Sequence, residues 1–95
     1  MSNLIKYGIE FLGTFVFLSV ILATANPIAI AITLLAMIYF GGNISGGHFN
    51  SAVSAMFWSK GELSTTDAII YIIAQILGGI CAYLFFDKIA KNFKK

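Results

Sequence analysis

The sequence predicts an all-α membrane protein with three transmembrane helices and one short re-entrant helix. Three observations predict it. Of the 95 residues, 59% are hydrophobic and 11% charged, with a mean hydropathy of +0.90. A soluble domain carries about 25% charged residues, and so short a chain cannot hide that much apolar side chain within itself. Second, three segments are apolar, two of them over roughly the 20 residues that a membrane-crossing helix needs and the middle one shorter. Third, residues 41–50 hold four glycines and lead into an apolar run too short to cross. This composition excludes an ordinary cytosolic enzyme and a disordered tail.

The first span covers residues 4–25, with Lys6 near its start and Glu10 about a turn and a half in. Glu10, Gly13, Thr14 and Phe17 share one face, opposite Phe11, Phe15, Leu18 and Leu22. Lys6, the apolar run and Ala23-Thr24-Ala25 also imitate a cleavable signal peptide. Glu10 and the length of the run argue against that reading. Asn26-Pro27 then opens the second span, residues 27–42, because Asn caps a helix and Pro fits its first position. That span is long enough only if the glycines at 41 and 42 lie near the membrane boundary. The third span covers residues 66–86, with Thr65 or Thr66 as its cap. Tyr71, Gln75, Gly78, Gly79 and Ala82 share its inward side; Ile70, Ile73, Leu77, Ile80 and Leu84 face the other way. Ala74, Gly78 and Ala82 form a small-residue ladder that admits a neighbouring helix. Asp87, Lys88, Lys91, Lys94 and Lys95 close the chain as a wet, cationic end.

Residues 43–59 are the informative interval. Glycine lets backbone approach backbone closely. Asn50 then caps a helix of about two turns that Lys60-Gly61-Glu62 ends. An apolar helix this short, after a polar glycine strip, reads as a re-entrant element, tolerated at membrane depth only inside protein or beside a wet cavity. The alternative is a surface loop with an amphipathic helix lying in the interface; the weak polar face of the helix leans against it.

The remaining residue types exclude more. Six lysines and no arginine give a net charge of +2, and the lysines gather at the C-terminal end rather than on a nucleic-acid-binding face. One cysteine, Cys81, excludes an intrachain disulfide and a Cys-rich zinc site; it reads as a packing residue. Trp58 and Tyr39 read as interfacial anchors or core.

The string Asn43-Ile44-Ser45-Gly46-Gly47-His48-Phe49-Asn50-Ser51-Ala52-Val53 closely resembles the first signature loop of the aquaporin (major intrinsic protein) family, H-I-S-G-G/A-H-F-N-P-A-V. Residues 10–15 resemble that family's first-helix motif and residues 71–79 its third-helix motif, in the same order and spacing. The resemblance covers nearly the whole of 1–95, read as a single aquaporin-half domain. It implies one half of an aquaporin-like inverted repeat. Two features depart from the pattern: Ser51 stands where the family box has proline, and the chain holds only the first half, with no internal repeat.

The resemblance also implies a function: a passive channel for water or small neutral solutes such as glycerol. It implies no enzyme, no cofactor and no metal. The box Asn50, Ser51 and Ala52 would sit at the pore centre. Gly46, Gly47 and His48 would line the path with carbonyls, and Ile30, Ile38 and Val53 would form the constriction. Glu10 and Gln75 would support the loop as hydrogen-bonding partners rather than move protons. The family's filter arginine falls at Val53, which implies a wider, apolar mouth and leaves proton and anion exclusion open. One half leaves a wall open to lipid, so a partner is required. The expected partner is a second, inverted copy, with tetramers of pores as in the family, in the plasma (inner) membrane. Lys6 and Lys60 lie at one end and Lys88, Lys91, Lys94 and Lys95 at the other, a small bias permissive of both orientations. Three readings compete: an accessory half-subunit of another half-channel, a dual-topology proton-coupled exporter using Glu10, and a nonfunctional fragment.

Overall fold

The computed structural model describes residues 3–93, folded as four α-helices within 50 × 23 × 23 Å. They are α1 (Asn3–Thr24), α2 (Pro27–Ser45), α3 (Ser51–Ser59) and α4 (Thr65–Phe93). α1, α2 and α4 are long and apolar enough to cross a membrane. Their outward surfaces are strongly apolar: Leu4, Ile28 and Tyr39 are each more than 70% exposed. The inside is polar by comparison. Glu10, Thr14, Ser45, His48, Ser54 and Gln75 are buried beside Phe49, Ala68, Tyr71 and Ala82. Water would oppose that distribution, whereas hydrocarbon outside the bundle stabilises it, because polar groups then gain by facing inward.

Each helix boundary has a local cause. Asn26 Oδ1 accepts from the N–H groups of Ile28 (2.9 Å) and Ala29 (3.0 Å), and Pro27 occupies the first helical position. α2 does not stop near residue 42 as its glycines suggest, but continues to Ser45. Packing explains the difference. A Cβ on Gly41 would stand 2.6 Å from Ile9 Cγ2 and 3.1 Å from Phe49 Cζ, so Gly41 serves contact with α1 and the loop rather than a turn. The turn comes at Gly46, left-handed at φ 97°, whose N–H closes the helix on the Gly42 carbonyl at 3.0 Å.

The cap of α4 is Ser64, not Thr65 or Thr66: its Oγ accepts from Asp67 N at 3.1 Å, while both threonines lie within the helix. Nor does α4 end at Phe86. It runs to Phe93, because nothing in that stretch breaks a helix and Asp87 pairs with Lys91 one turn on, at 3.2 Å. Lys94 and Lys95 lie outside the described residues.

α1 and α4 run the same way. Lys6 meets Asp67 at their starts (3.0 Å), and Phe15 meets Phe85 further along, with ring centroids 5.8 Å apart. Tyr71, Gln75, Gly78 and Ala82 are buried, whereas Ile73, Leu77, Ile80 and Leu84 are exposed. The approach is close because Gly78 lacks a side chain: a Cβ there would stand 2.7 Å from the Phe11 carbonyl oxygen. Backbone is the obstacle, so α1 itself would have to move. Gly78→Ala is therefore expected to cost about 1–3 kcal/mol through overpacking, read as a lower melting temperature in detergent. Gly8→Ala, with nothing within 4 Å of the new methyl, should melt like the parent.

Candidate functional site

The site is built around one carboxylate. Glu10 is fully buried on the inward face of α1. Its Oε2 accepts from Ser45 Oγ (2.7 Å) and His48 N (3.0 Å). Its Oε1 accepts from Phe49 N (2.8 Å) and Gln75 Nε2 (2.8 Å). All four partners are donors, so both oxygens are used in the acceptor-only manner of an ionised carboxylate. Hydrogen bonds to a charged group contribute about 1.5–3 kcal/mol each. Four of them match the several kcal/mol that burying one ion costs.

A second shell of bonds holds those donors in place. Gln75 Nε2 also donates to Ser54 Oγ (2.9 Å), while its Oε1 accepts from Ser51 Oγ (3.1 Å), so both ends of the amide are engaged. Ser54 Oγ pairs with His48 Nδ1 at 2.8 Å. The His48 ring stacks on Phe57 with centroids 4.9 Å apart and meets the edge of Tyr71 at 5.2 Å. Tyr71 Oη donates to the Ser45 carbonyl at 2.6 Å, and Ser45 Oγ accepts from Gly47 N at 3.2 Å.

The loop 46–50 is shaped by this scaffold. Gly46 (φ 97°), Gly47 (φ 64°) and Phe49 (φ 52°) are all left-handed. Such a φ is uncommon for phenylalanine. It is held by a notch: a Cβ on Gly13 would stand 2.1 Å from Phe49 Cε1, so the ring sits directly against α1. The N–H groups of residues 47, 48 and 49 are all committed to side chains. The carbonyls of Gly46, Gly47 and His48 accept no hydrogen bond from the described residues.

Asn50 caps α3, its Oδ1 accepting from Ala52 N at 2.8 Å. Its side-chain amino group donates to no described residue, and the residue is exposed. It opens on a cleft of about 470 Å³ between α1, the start of α3 and α4. Thr14, Asn50, Ser51 and Gln75 give this cleft a polar side; Phe17, Ile76 and Ile80 give it an apolar one. Thr24 and Thr33 donate to the carbonyl four residues back, but the buried Thr14 hydroxyl has no partner among the described residues.

The structure thus gathers Glu10, Gln75, Ser51, Gly46, Gly47 and His48 into one network and loop, with Asn50 at its edge. The His48 side chain is buried. Ile30, Ile38 and Val53 do not line the cleft. Ile30 and Val53 are half-buried on α2 and α3; Ile38 is exposed, with its backbone beside Gly47. Sequence reasoning missed the roles of Ser45, Ser54, Tyr71 and Phe49. The one available signal was Tyr71 lying a single turn before Gln75. Among the described residues no His, Cys, Asp and Glu cluster could hold a metal.

The chain matches the family described as Major intrinsic protein over residues 9–95. It is 43% identical over 92 residues to a protein named Aquaporin Z from Photorhabdus laumondii, and 43% identical over 92 residues to an Aquaporin Z from Brucella melitensis. It is 48% identical over 88 residues to a glycerol uptake facilitator protein-like 6 from Lactiplantibacillus plantarum. Each comparison covers 81% of this chain and 40% of the relative, so the chain spans about 40% of the length of the relatives it matches. No solved structure matches the chain.

Glu10→Gln replaces one acceptor oxygen with a donor that points at donors already in place. Each buried group left unpaired costs about 1–3 kcal/mol, so the expected loss of stability is about 2–6 kcal/mol. It should appear as a large fall in melting temperature together with proteolysis within the loop 46–50. Ser45→Ala, which removes one donor only, should fall less.

Proposed function

We propose that this chain, a member of the major intrinsic protein family, forms one half of a passive membrane channel for water or small neutral solutes, completed by a second copy in inverted orientation. The observation that carries this reading is the loop 46–50. Glu10 and Ser45 take its N–H groups, so a row of free carbonyls stands next to an asparagine whose amino group is also free. Acceptors followed by a donor are what a hydrogen-bonding neutral solute needs in order to shed its water shell. The N-terminus of α3 at the same point carries the positive end of a helix dipole, which disfavours cations. The apolar side of the cleft offers nothing to trap a passing solute.

The open cleft supports the need for a partner. Irregular backbone facing hydrocarbon costs several kcal/mol per unsatisfied group. A second copy related by a two-fold axis in the membrane plane would bring a second Asn50 to the midpoint and make α3 re-entrant. In that assembly Ile30 of one copy and Ile38, Gly47 and Val53 of the other would form each mouth. No arginine is available to either, so the mouth is apolar and admits glycerol-sized solutes. Tetramers of such pores in a plasma membrane extend the same reading. The names of the relatives, aquaporin and glycerol uptake facilitator, point to the same two solute classes. A proton-coupled exporter is the weaker reading, because four donors already occupy the Glu10 carboxylate.

Proteoliposome shrinkage under an osmotic gradient tests the channel. The parent should accelerate water or glycerol flux. Asn50→Asp retains the capping oxygen but removes the donor, and should reduce flux by about tenfold, the scale of one hydrogen bond, at unchanged expression. Undiminished flux in that variant would remove Asn50 from the path. Labelling of a cysteine placed at residue 60, with Cys81 replaced by serine, tests the assembly: an inverted pair exposes it equally on both membrane faces. Labelling on one face only, with no companion polypeptide, would rule the inverted pair out.

A further inference from the structure

The far end of α4 carries a surface that the channel reading does not use. Between Asp67 and Asp87 there is no charged residue, a run of nineteen from Ala68 to Phe86. At the start of that run Asp67 is tied to Lys6 (3.0 Å) and Tyr7 (2.6 Å), a polar cluster that fixes one boundary of the span. α4 has 29 residues, about 43 Å at the helical rise, whereas the hydrocarbon core is about 30 Å thick. The helix therefore continues past the opposite boundary from Asp87 to Phe93, still wound as α-helix.

The two ends differ in how their lysines are matched. At the first end Lys6 pairs with Asp67 and Lys60 with Glu62 (3.1 Å), one acid for each lysine. At the far end Lys88, Lys91, Lys94 and Lys95 follow a single aspartate in sequence. Within the described residues, Lys88 and Lys91 are exposed and lie three apart, hence on one face. In the Asp87–Lys91 pair the lysine side chain is 76% exposed, so the pair holds Lys91 only loosely. Phe85 and Ile89, 54% and 37% exposed, lie at the same level and offer apolar surface at the acyl boundary.

We infer that this end of α4 is a docking surface for anionic lipid headgroups, with Lys88 and Lys91 contacting the phosphates while Phe85 and Ile89 rest against the chains. The claim concerns the lipid leaflet and stands independently of what the channel conducts. A lysine at a membrane surface contributes about fivefold in anionic lipid affinity, and salt weakens that attraction. In an inverted pair, each leaflet would meet one such end.

The test is lipid retention by the purified chain in detergent, measured by native mass spectrometry with phosphatidylglycerol and phosphatidylcholine offered in equal amounts. The parent should retain phosphatidylglycerol preferentially, and less so as ionic strength rises. The double variant Lys88→Gln, Lys91→Gln should reduce that preference by about tenfold or more, while Lys60→Gln leaves it intact. At matched ionic strength, inorganic phosphate in place of chloride should not displace the lipid. A parent without preference, a double variant with the parent's preference, or displacement of the lipid by phosphate alone would each overturn the proposal. Melting temperatures of the variants separate loss of lipid from loss of fold.

Discussion

The buried carboxylate of Glu10 is the constraint on which the rest of this structure depends. Among the described residues it forms no ion pair and is satisfied by four hydrogen-bond donors from the α2 terminus, the loop and α4. Remove the charge and neighbouring N–H groups have no acceptor; remove the donors and the ion has no solvation. Each side therefore requires the other, and the loop 46–50 takes the one backbone path that serves both. The outward consequence is a division of labour along the loop: N–H groups turned to protein, carbonyls left over.

Such a hub can exist only where backbones approach closely, and glycines make the approach. Gly13 and Gly41 form the notch that receives Phe49, and Gly78 lets α4 lie on the backbone of α1. Apolar residues occupy the outside of the bundle and contribute little to this interior. Folding of the bundle is thus a matter of shape and hydrogen bonding more than of apolar burial, as expected when the solvent around the helices is itself hydrocarbon.

Much of this is legible in the sequence, and the unread part has identifiable causes. Span positions follow from hydropathy, and the caps at Asn26 and Asn50 follow from residue type. The inward faces of α1 and α4 follow from helical spacing, since Glu10, Gly13 and Thr14 recur at the right intervals. Boundaries set by tertiary contact were not readable. The second span is read to residue 42 because its glycines mark the boundary by local propensity, yet Gly41 packs against Ile9 and Phe49 and the helix continues to Ser45. Hydropathy bounds the third span at residue 86 but not the helix, because charge marks only the end of the apolar slab and α4 continues to Phe93. Ser45 and Ser54 carry no sequence mark of their roles, because a serine that bonds across a bundle looks like any other serine.

Ser51 shows how a local departure from the family pattern can be absorbed. A proline there would suit the first helical turn, but it would bring no hydroxyl. Serine donates to Gln75 Oε1 and thereby fixes which way the amide faces. With that oxygen engaged, both Nε2 hydrogens are directed to Glu10 and Ser54. Ser54 in turn holds His48, whose backbone N–H returns to Glu10. The ring of bonds passes through Ser51 without using its backbone N–H, so the α3 N-terminus keeps its unpaired groups for whatever lies in the cleft. Serine at this position thus joins the inward support of the loop through its side chain, while Asn50 caps the same helix from outside that ring of bonds.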